Sequence, residues 1–288
     1  LKISEKDQAQ VSEVTVENLS DRTVFLLSGE IIAGGQQTRM LRQDVVIEPK
    51  QTVVVPVFCV ERGRWSGGKG FSGSMNRVPA SINDAVQRGA AQGEVWRRVE
   101  EKSATFGAES ATGNLNEVLE SEDVSREMDA MHKELGTFSP EETIGIAVAD
   151  RRTGRIVGLE LFGRRDLFEK LQAKLIEGYA ADLVVKKNAA VVEDDRTALD
   201  LLGGGGLKQK GVAAFIGQLL KTGESGYEDT PGSGRGIALK RGRTVGKGVA
   251  LGETTIHISI QQDVQENATP AKPIVRPERP VPMRMGPE

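Results

Sequence analysis

The sequence predicts an α+β protein with an N-terminal antiparallel β-sandwich-like subdomain packed with helices, a hairpin-helix unit and a C-terminal β-meander. Short runs rich in β-branched residues, separated by turn residues, fill residues 11–61 and indicate strands. Apolar residues recur at helical spacing in several later segments. Near the C-terminus, Ile256, Ile258 and Ile260 alternate with polar residues, which is typical of a half-buried strand.

The N-terminal strands are predicted at residues 14–16, 24–27, 45–47 and 53–60. They fit a small antiparallel sandwich or a half-barrel. The last run is apolar on both faces, as expected for a covered central strand, so Cys59 within it should be buried. The Gly- and Ser-rich residues 62–77 follow neither period and predict a loop.

Helices are predicted in the middle of the chain. Ser81 is placed to cap a helix whose apolar residues continue to Val99, weakened by Gly89 and Gly93. A second helix is predicted over residues 114–135, with an apolar stripe and a strongly acidic opposite face.

A hairpin is predicted from residues 144–149 and 155–162, followed by a helix capped by Asp166. Two shorter helices are predicted near residues 195–202 and 212–221. We expect residues 1–65 to form a β-rich subdomain and residues 66–266 to form the mixed α+β remainder of the same compact unit. The Pro- and Arg-rich residues 267–288 predict a disordered tail or linker.

Composition limits the classes of function. The net charge of −3 provides no global positive field for nucleic acid or an anionic membrane, and no apolar run is long enough to span a bilayer. We therefore expect no membrane and no nucleic-acid partner. The single cysteine fits a reducing compartment, which predicts a cytoplasmic protein. The start at Leu1 and the Pro-rich end suggest a segment of a longer polypeptide.

Several common catalytic patterns are incomplete. Residues 63–70 match G-x-x-x-x-G-K, but Gly70 occupies the position where a phosphate-binding loop requires Ser or Thr. His132 and His257 are the only imidazoles, and each is predicted to lie at the surface, so no metal site is predicted. No cofactor is predicted either. Cys59 is a poor candidate nucleophile because burial raises a thiol pKa.

Five polar or aromatic residues at strand ends form the candidate site: Gln37, Arg39, Glu61, Arg64 and Trp65. Two arginines can clamp a carboxylate or phosphate, and an indole can stack on a ring. Glu61 and Gln37 can orient a hydroxyl or an amide. The alternative is a buried structural network in which Arg39 pairs with Glu61 and Trp65 fills the end of the sandwich.

The same residues resemble the bacterial ARG and rhodanese-phosphatase-superfamily-associated protein domain family. The resemblance rests on residues 25–30, Gln37-x-Arg39 and above all residues 57–65, with weaker similarity at residues 92–96 and 158–163. This sequence has Gln36 and Phe58 where the family often has Lys and Ser. The family name records genomic association with ADP-ribosylglycohydrolases and phosphatases, which implies nucleotide or ADP-ribose biology but assigns no reaction.

Three functions follow as hypotheses. The first is a module that binds a small anion or a nucleotide derivative, including one related to ADP-ribose, at the five site residues. The second is a hydrolase or transferase acting on such a ligand, with Glu61 as general base. The third is an interaction scaffold whose acidic helix near residues 114–135 binds a protein partner.

Overall fold

The computed structural model describes residues 1–6, 10–135, 143–150, 156–182, 199–201, 215–217, 221 and 223–262. The strands, in chain order, are β1 (Lys2–Ser4), β2 (Glu13–Glu17), β3 (Val24–Leu26), β4 (Glu30–Gly34), β5 (Arg39–Leu41), β6 (Val45–Ile47), β7 (Thr52–Cys59), β8 (Gly70–Arg77), β9 (Gly145–Asp150), β10 (Ile156–Phe162), β11 (Leu199–Leu201), β12 (Glu224–Glu228), β13 (Arg235–Arg241), β14 (Thr244–Leu251) and β15 (Thr254–Gln262). The helices are α1 (Ala80–Gln87), α2 (Gln92–Phe106), α3 (Leu115–Glu120), α4 (Glu122–Leu135) and α5 (Arg165–Ala180). Within this described part, no helix is both long and apolar enough to cross a membrane.

The N-terminal strands form a closed barrel and not the predicted sandwich-like layer. Their order is β1-β2-β7-β5-β4-β8, and antiparallel pairing of β1 with β8 closes the ring. Because side chains alternate along a strand, every second residue of β2 and β7 enters the interior. The interior residues include Val14, Val16, Val55 and Val57, and the separate β3–β6 ribbon adds Leu26, Val45 and Ile47. Closure leaves the barrel without a free edge.

Helices α1 to α4 pack on the outer face of the barrel. Ile31, Met40 and Phe58 point outward from β4, β5 and β7 and belong to one apolar cluster. The helices contribute to it Ile82, Val95, Val99, Val118 and Val124. The helical spacing of these residues in the sequence therefore reflects burial against the barrel.

The second half of the chain forms one antiparallel sheet in the order β11-β9-β10-β15-β14-β13-β12. The predicted hairpin is β9–β10 and the predicted meander is β12–β15, and pairing of β10 with β15 joins them. Strand β15 is thus central. Helix α5 buries Phe168, Leu175 and Tyr179 in a cluster that also holds Val148 and Phe162 of the sheet.

Two predicted helix starts are wrong. Helix α1 begins after Pro79, and Ser81 instead binds Asp182 through its amide and its hydroxyl, at 2.8 and 2.6 Å. Helix α5 begins after Arg164, and Asp166 lies in its first turn. Arg164 donates two hydrogen bonds to Asp166, so this side chain binds its neighbour and does not cap the helix.

Two helices predicted as continuous are each divided. The first ends at Gln87, and Gly89 adopts φ +93°, a conformation that a side chain would strain. The second breaks at Ser121, whose extended ψ of 145° separates α3 from α4. Local backbone conformation overrides an apolar stripe that continues across both breaks.

The predicted loop at residues 62–77 ends early, because residues 70–77 form β8. This strand lacks a clear alternation, so its signal in the sequence is weak.

The predicted boundary at residue 65 falls between β7 and β8. Residues 199–201 form β11, not the end of a helix. The rest of that predicted helix, most of the helix predicted at 212–221 and the predicted tail at 267–288 lie outside the described residues.

Candidate ligand-binding site

The barrel brings the five predicted site residues to one end. Arg39 begins β5 and is directly opposite Cys59, the last residue of β7. Gln37 comes just before β5, and the segment from Glu61 to Trp65 follows β7. Antiparallel pairing therefore places the two predicted sequence segments side by side.

Arg39 lies inside the barrel with 0% of its surface exposed. Its guanidinium pairs with Glu5 at 3.3 Å and donates to the backbone oxygen of Gln37 at 3.2 Å. The ring of Trp65 lies 5.6 Å from the guanidinium carbon. The predicted pairing of Arg39 with Glu61 is wrong. Glu5, which directly follows β1, provides the counter-charge of Arg39. Arg39 is thus enclosed by the protein and stabilises the barrel interior.

Glu61 has a complete set of hydrogen bonds. Its Oε1 accepts from Nε of Arg64 at 2.8 Å and from the hydroxyl of Thr112 at 2.7 Å. Its Oε2 accepts from Nη2 of Arg64 at 2.7 Å and from the amide of Thr38 at 2.8 Å. A carboxylate offers about four acceptor positions, so Glu61 is saturated.

These contacts determine the ionisation of Glu61. Burial by itself raises the pKa of Glu61, but the hydrogen bonds from Arg64, Thr112 and Thr38 outweigh it and hold the pKa below its ordinary value. Glu61 is therefore a stable anion that joins β7, the start of β5 and the segment preceding α3.

Arg64 closes the end of the barrel. Its Nη1 donates to the backbone oxygens of Gly35 at 2.9 Å and Ser66 at 2.5 Å, and its Nη2 donates to that of Gly34 at 3.3 Å. With Glu61 as its ion-pair partner, its donors are engaged within the protein. Trp65 is 50% exposed and is the most accessible of the five predicted residues.

Cys59 is buried, as predicted, and is held beside Arg39. Burial is the largest effect on its thiol and raises the pKa of Cys59 to about 11, although the positive charge of Arg39 acts in the opposite direction. Its Sγ donates to Oε1 of Gln37 at 2.9 Å. The thiol is therefore held in its protonated form near pH 7.

A groove lies beside this network, between α2 and residues 109–113. Its volume is about 670 Å³. Arg62 and Trp96 line it, with the guanidinium carbon 5.5 Å from the centre of the indole ring. Thr112, which binds Glu61, forms part of the wall, and Glu100 and Glu109 provide carboxylates.

Two side chains that line the groove have polar groups without an ion-pair or hydrogen-bond partner in the described part of the chain, although Nε1 of Trp96 is itself enclosed by protein atoms. Among the described residues, no carboxylate forms an ion pair with Arg62, and Nε1 of Trp96 has no hydrogen-bond acceptor. Sequence reasoning did not select either residue. The signal was present, because Arg62 lies within residues 57–65 and Trp96 within residues 92–96, two of the segments that carry the family resemblance.

A second polar cluster joins the barrel to the seven-stranded sheet. Arg77 of β8 lies 3.1 Å from Oε1 of Glu160, whose Oε2 lies 3.1 Å from Nε2 of His257. Nδ1 of His257 lies 2.7 Å from Asp44. The predicted surface position of His257 is wrong, since β15 is central and the ring is 0% exposed.

Charge pairing sets the ionisation of this second cluster. Burial by itself lowers the pKa of His257, but Asp44 and Glu160 raise it to about 9. Burial opposes the charge of Glu160 as well, yet Arg77 and His257 lower its pKa to about 2. Two cations thus neutralise two anions. In the described residues, no group of three or more His, Cys, Asp or Glu side chains is placed to hold a metal ion.

The barrel, the attached sheet and the groove define an α+β protein with a candidate site for a small ligand. The chain belongs to the ARG and Rhodanese-Phosphatase-superfamily-associated Protein domain family, whose model matches residues 1–261. The match confirms the resemblance found in the sequence. No curated protein and no solved structure matches the chain.

Proposed function

We propose that this protein is a binding module for a small anionic ligand of the nucleotide-derivative class, bound in the groove between α2 and residues 109–113. The observation that carries the proposal is Arg62, a guanidinium without an ion-pair partner among the described residues, held 5.5 Å from the Trp96 ring at the groove wall. A guanidinium binds phosphate through two parallel hydrogen bonds, and an aromatic ring beside it favours a planar ligand.

The dimensions and chemistry of the groove suit such a ligand. Pockets for small molecules and cofactors occupy about 300–1,000 Å³, a range that includes the 670 Å³ of this groove. The carboxylates of Glu100 and Glu109 can accept hydrogen bonds from sugar hydroxyls, as acidic residues do for ribose in dinucleotide sites. An ADP-ribose-related ligand carries the phosphates, sugar hydroxyls and planar base that these groups could bind.

The five residues predicted from the sequence support this groove from behind. Gln37, Arg39, Glu61 and Arg64 are bound to one another or to nearby backbone, and Glu61 holds Thr112 in the groove wall. Their proposed role is to position the wall, because they are buried or bound within the protein, with Nε of Arg39 the one donor among them that has no partner in the described residues. Trp65 is half exposed, but it lies beside Arg39 and does not line the groove.

The enzymatic alternative is less well supported. A general base requires a free lone pair and a pKa near the working pH, whereas Glu61 has its acceptor positions filled and a lowered pKa.

The scaffold alternative rests on the acidic start of α4. The side chains of Glu122 and Asp123 are 94% and 89% exposed. In the described part of the chain, Arg126 is their only ion-pair partner. Exposed acids of this kind also serve solubility, so the groove supports the first proposal more strongly.

The test is isothermal titration of the wild type and two groove variants with ADP-ribose, AMP, NAD and inorganic phosphate. Arg62→Gln is expected to weaken binding of the phosphate-bearing ligands about tenfold or more, the effect of losing a charge-assisted hydrogen bond. Trp96→Phe keeps an aromatic ring but reduces the area available for stacking, and it should weaken binding by less. Arg97→Gln, on the exposed face of the same helix, is the matched control and should leave affinity unchanged.

The outcomes separate the three functions. Absence of binding by any of the four compounds at millimolar concentration would contradict the binding module. Release of a product from a bound compound, lost in Glu61→Gln, would favour the enzyme. A protein partner captured by the wild type but not by a Glu122→Gln/Asp123→Asn variant would favour the scaffold.

A further inference from the structure

A second cavity lies where the barrel meets the seven-stranded sheet, and it shares no lining residue with the groove. Its volume is about 240 Å³. The barrel contributes the segment between β5 and β6, helix α1 contributes its C-terminal end, and the sheet contributes β13 to β15 with the segment after β12. Hydrogen bonds from Gln43 to Thr230 at 2.9 Å and from Thr230 to the backbone oxygen of Asp44 at 3.2 Å hold these walls together.

The inner wall contains a polar side chain that is not satisfied. Gln87 lines the cavity, is 9% exposed and donates from Nε2 to the hydroxyl of Ser259 at 3.1 Å. Its Oε1 has no hydrogen-bond partner. Reversing the amide would leave the nitrogen without a partner in place of the oxygen. A buried, unpaired amide is unfavourable, but this oxygen is enclosed by protein atoms, so a ligand in the cavity would not reach it.

The charges around the cavity are of both signs. Asp44 is already bound by His257 and by the amide of Ser28, and Lys247 pairs with Glu228. By contrast, Arg42 and Asp229 line the cavity without an ion-pair partner in the described part of the chain. Both are exposed, and the guanidinium carbon of Arg42 lies 4.5 Å from the centre of the Phe58 ring. A ligand entering from solvent meets one cation and one anion that form no ion pair within the described residues.

We propose that this cavity binds a small zwitterion of the size of a free amino acid. Its ammonium group is placed by Asp229, and its acidic group is placed by Arg42. The volume corresponds to about eight water molecules at ~30 Å³ each, which suits an amino acid and is too small for a nucleotide derivative. The site is separate from the groove of the proposed function and does not depend on it.

The test is ligand-observed NMR and isothermal titration of the wild type with the free α-amino acids, each at millimolar concentration. At least one is expected to bind. For that amino acid, the analogue lacking the carboxylate and the analogue lacking the ammonium should each bind about tenfold more weakly, because each loses a charge-assisted hydrogen bond.

Variants assign each end of the ligand to a residue. Arg42→Gln should weaken binding of the amino acid about tenfold but leave binding of the decarboxylated amine unchanged. Asp229→Asn should weaken binding of the amino acid but not binding of the deaminated acid. Arg241→Gln and Glu253→Gln, exposed residues of β13 and of the β14–β15 turn, are matched controls that should have no effect.

Two results would contradict the zwitterion site. If no amino acid binds the folded wild type, or if the bound one is insensitive to both Arg42→Gln and Asp229→Asn in variants with unchanged melting temperatures, the cavity is not a zwitterion site. Arg62→Gln should not alter this binding. Loss of amino-acid binding in Arg62→Gln would also overturn the assignment, because Arg62 lines the groove between α2 and residues 109–113 and does not line this cavity.

Discussion

The imidazole of His257 lies 2.7 Å from the carboxylate of Asp44, a residue 213 positions earlier in the chain. This contact joins a central strand of the C-terminal sheet to the segment between β5 and β6 of the barrel. Both residues are buried, and Glu160 lies on the opposite side of the ring. The two sheets are therefore connected through a chain of buried charges as well as through apolar packing.

Stability should depend on pH through His257. Its pKa is raised from 6.5 to about 9, so the folded state binds the proton more tightly than the unfolded state. The stabilisation is complete below pH ~6.5 and is lost as pH rises through ~9, by on the order of 3 kcal/mol. Urea unfolding measured between pH 6 and pH 10 checks this loss. The His257→Gln variant should lack this component, and an equal slope in both proteins would contradict the prediction.

Removing one partner of the Arg77–Glu160 pair should be costly. Both side chains are almost fully buried, so Arg77→Met leaves Glu160 without its strongest counter-charge. The expected loss is about 3–5 kcal/mol in the free energy of unfolding, measured by denaturant titration. Arg164→Met breaks a solvent-exposed pair with Asp166 and should lower the free energy of unfolding far less, because solvent screens the two charges. Similar losses in the two variants would argue against this view of the cluster.

Arg39 and Glu5 should behave as a coupled pair. Arg39→Met alone leaves a buried carboxylate unpaired and should destabilise the barrel by about 3–5 kcal/mol. The double variant Glu5→Gln/Arg39→Met should recover part of this loss, because it removes the unpaired charge. Denaturant unfolding of the complete double-mutant cycle measures the coupling. Strictly additive effects would show that the two side chains act independently.

Glu61 should contribute to stability through its anion. Its lowered pKa means that the contribution is present above the unfolded pKa of about 4.3 and is lost as pH falls through the folded value. Glu61→Gln should reduce the free energy of unfolding by about 2 kcal/mol at pH 7, since it weakens bonds from Arg64 and Thr112. Thermal melts at pH 7 and below pH 4 should show a smaller difference at the lower pH.

Cys59 should resist thiol reagents in the folded protein. The thiol is buried and its pKa is about 11, so the reactive thiolate is scarce at neutral pH. Reaction with a chromogenic disulfide reagent at pH 7 should be slow without urea and rapid once the chain unfolds. Fast labelling under native conditions would mean that the end of the barrel opens readily.

Parts of the fold were predictable because their signals are local. The doubly apolar run at residues 53–60 predicted the central strand β7 and the burial of Cys59, and the alternation of Ile256, Ile258 and Ile260 predicted β15. Closure of the barrel was not predictable in this way. It depends on β8, whose residues form backbone hydrogen bonds with β1 and β4 but show little periodicity.

The candidate site shows the same division. The sequence identified the strand ends where Gln37, Arg39, Glu61, Arg64 and Trp65 meet, because long polar side chains are unusual there. It did not determine which arginine pairs with which carboxylate, since Glu5 and Thr112 reach the cluster from distant parts of the chain.

The sequence by itself determined the α+β class, the family and the segment around which the barrel end is built. Only the tertiary structure decided that Arg39 is enclosed, that Arg62 and Trp96 line an open groove, and that His257 is a buried cation and not a surface residue. The physical reason is that strand and helix patterns depend on neighbours a few residues apart. Burial, ion pairing and pKa depend instead on residues that only the folded chain brings together.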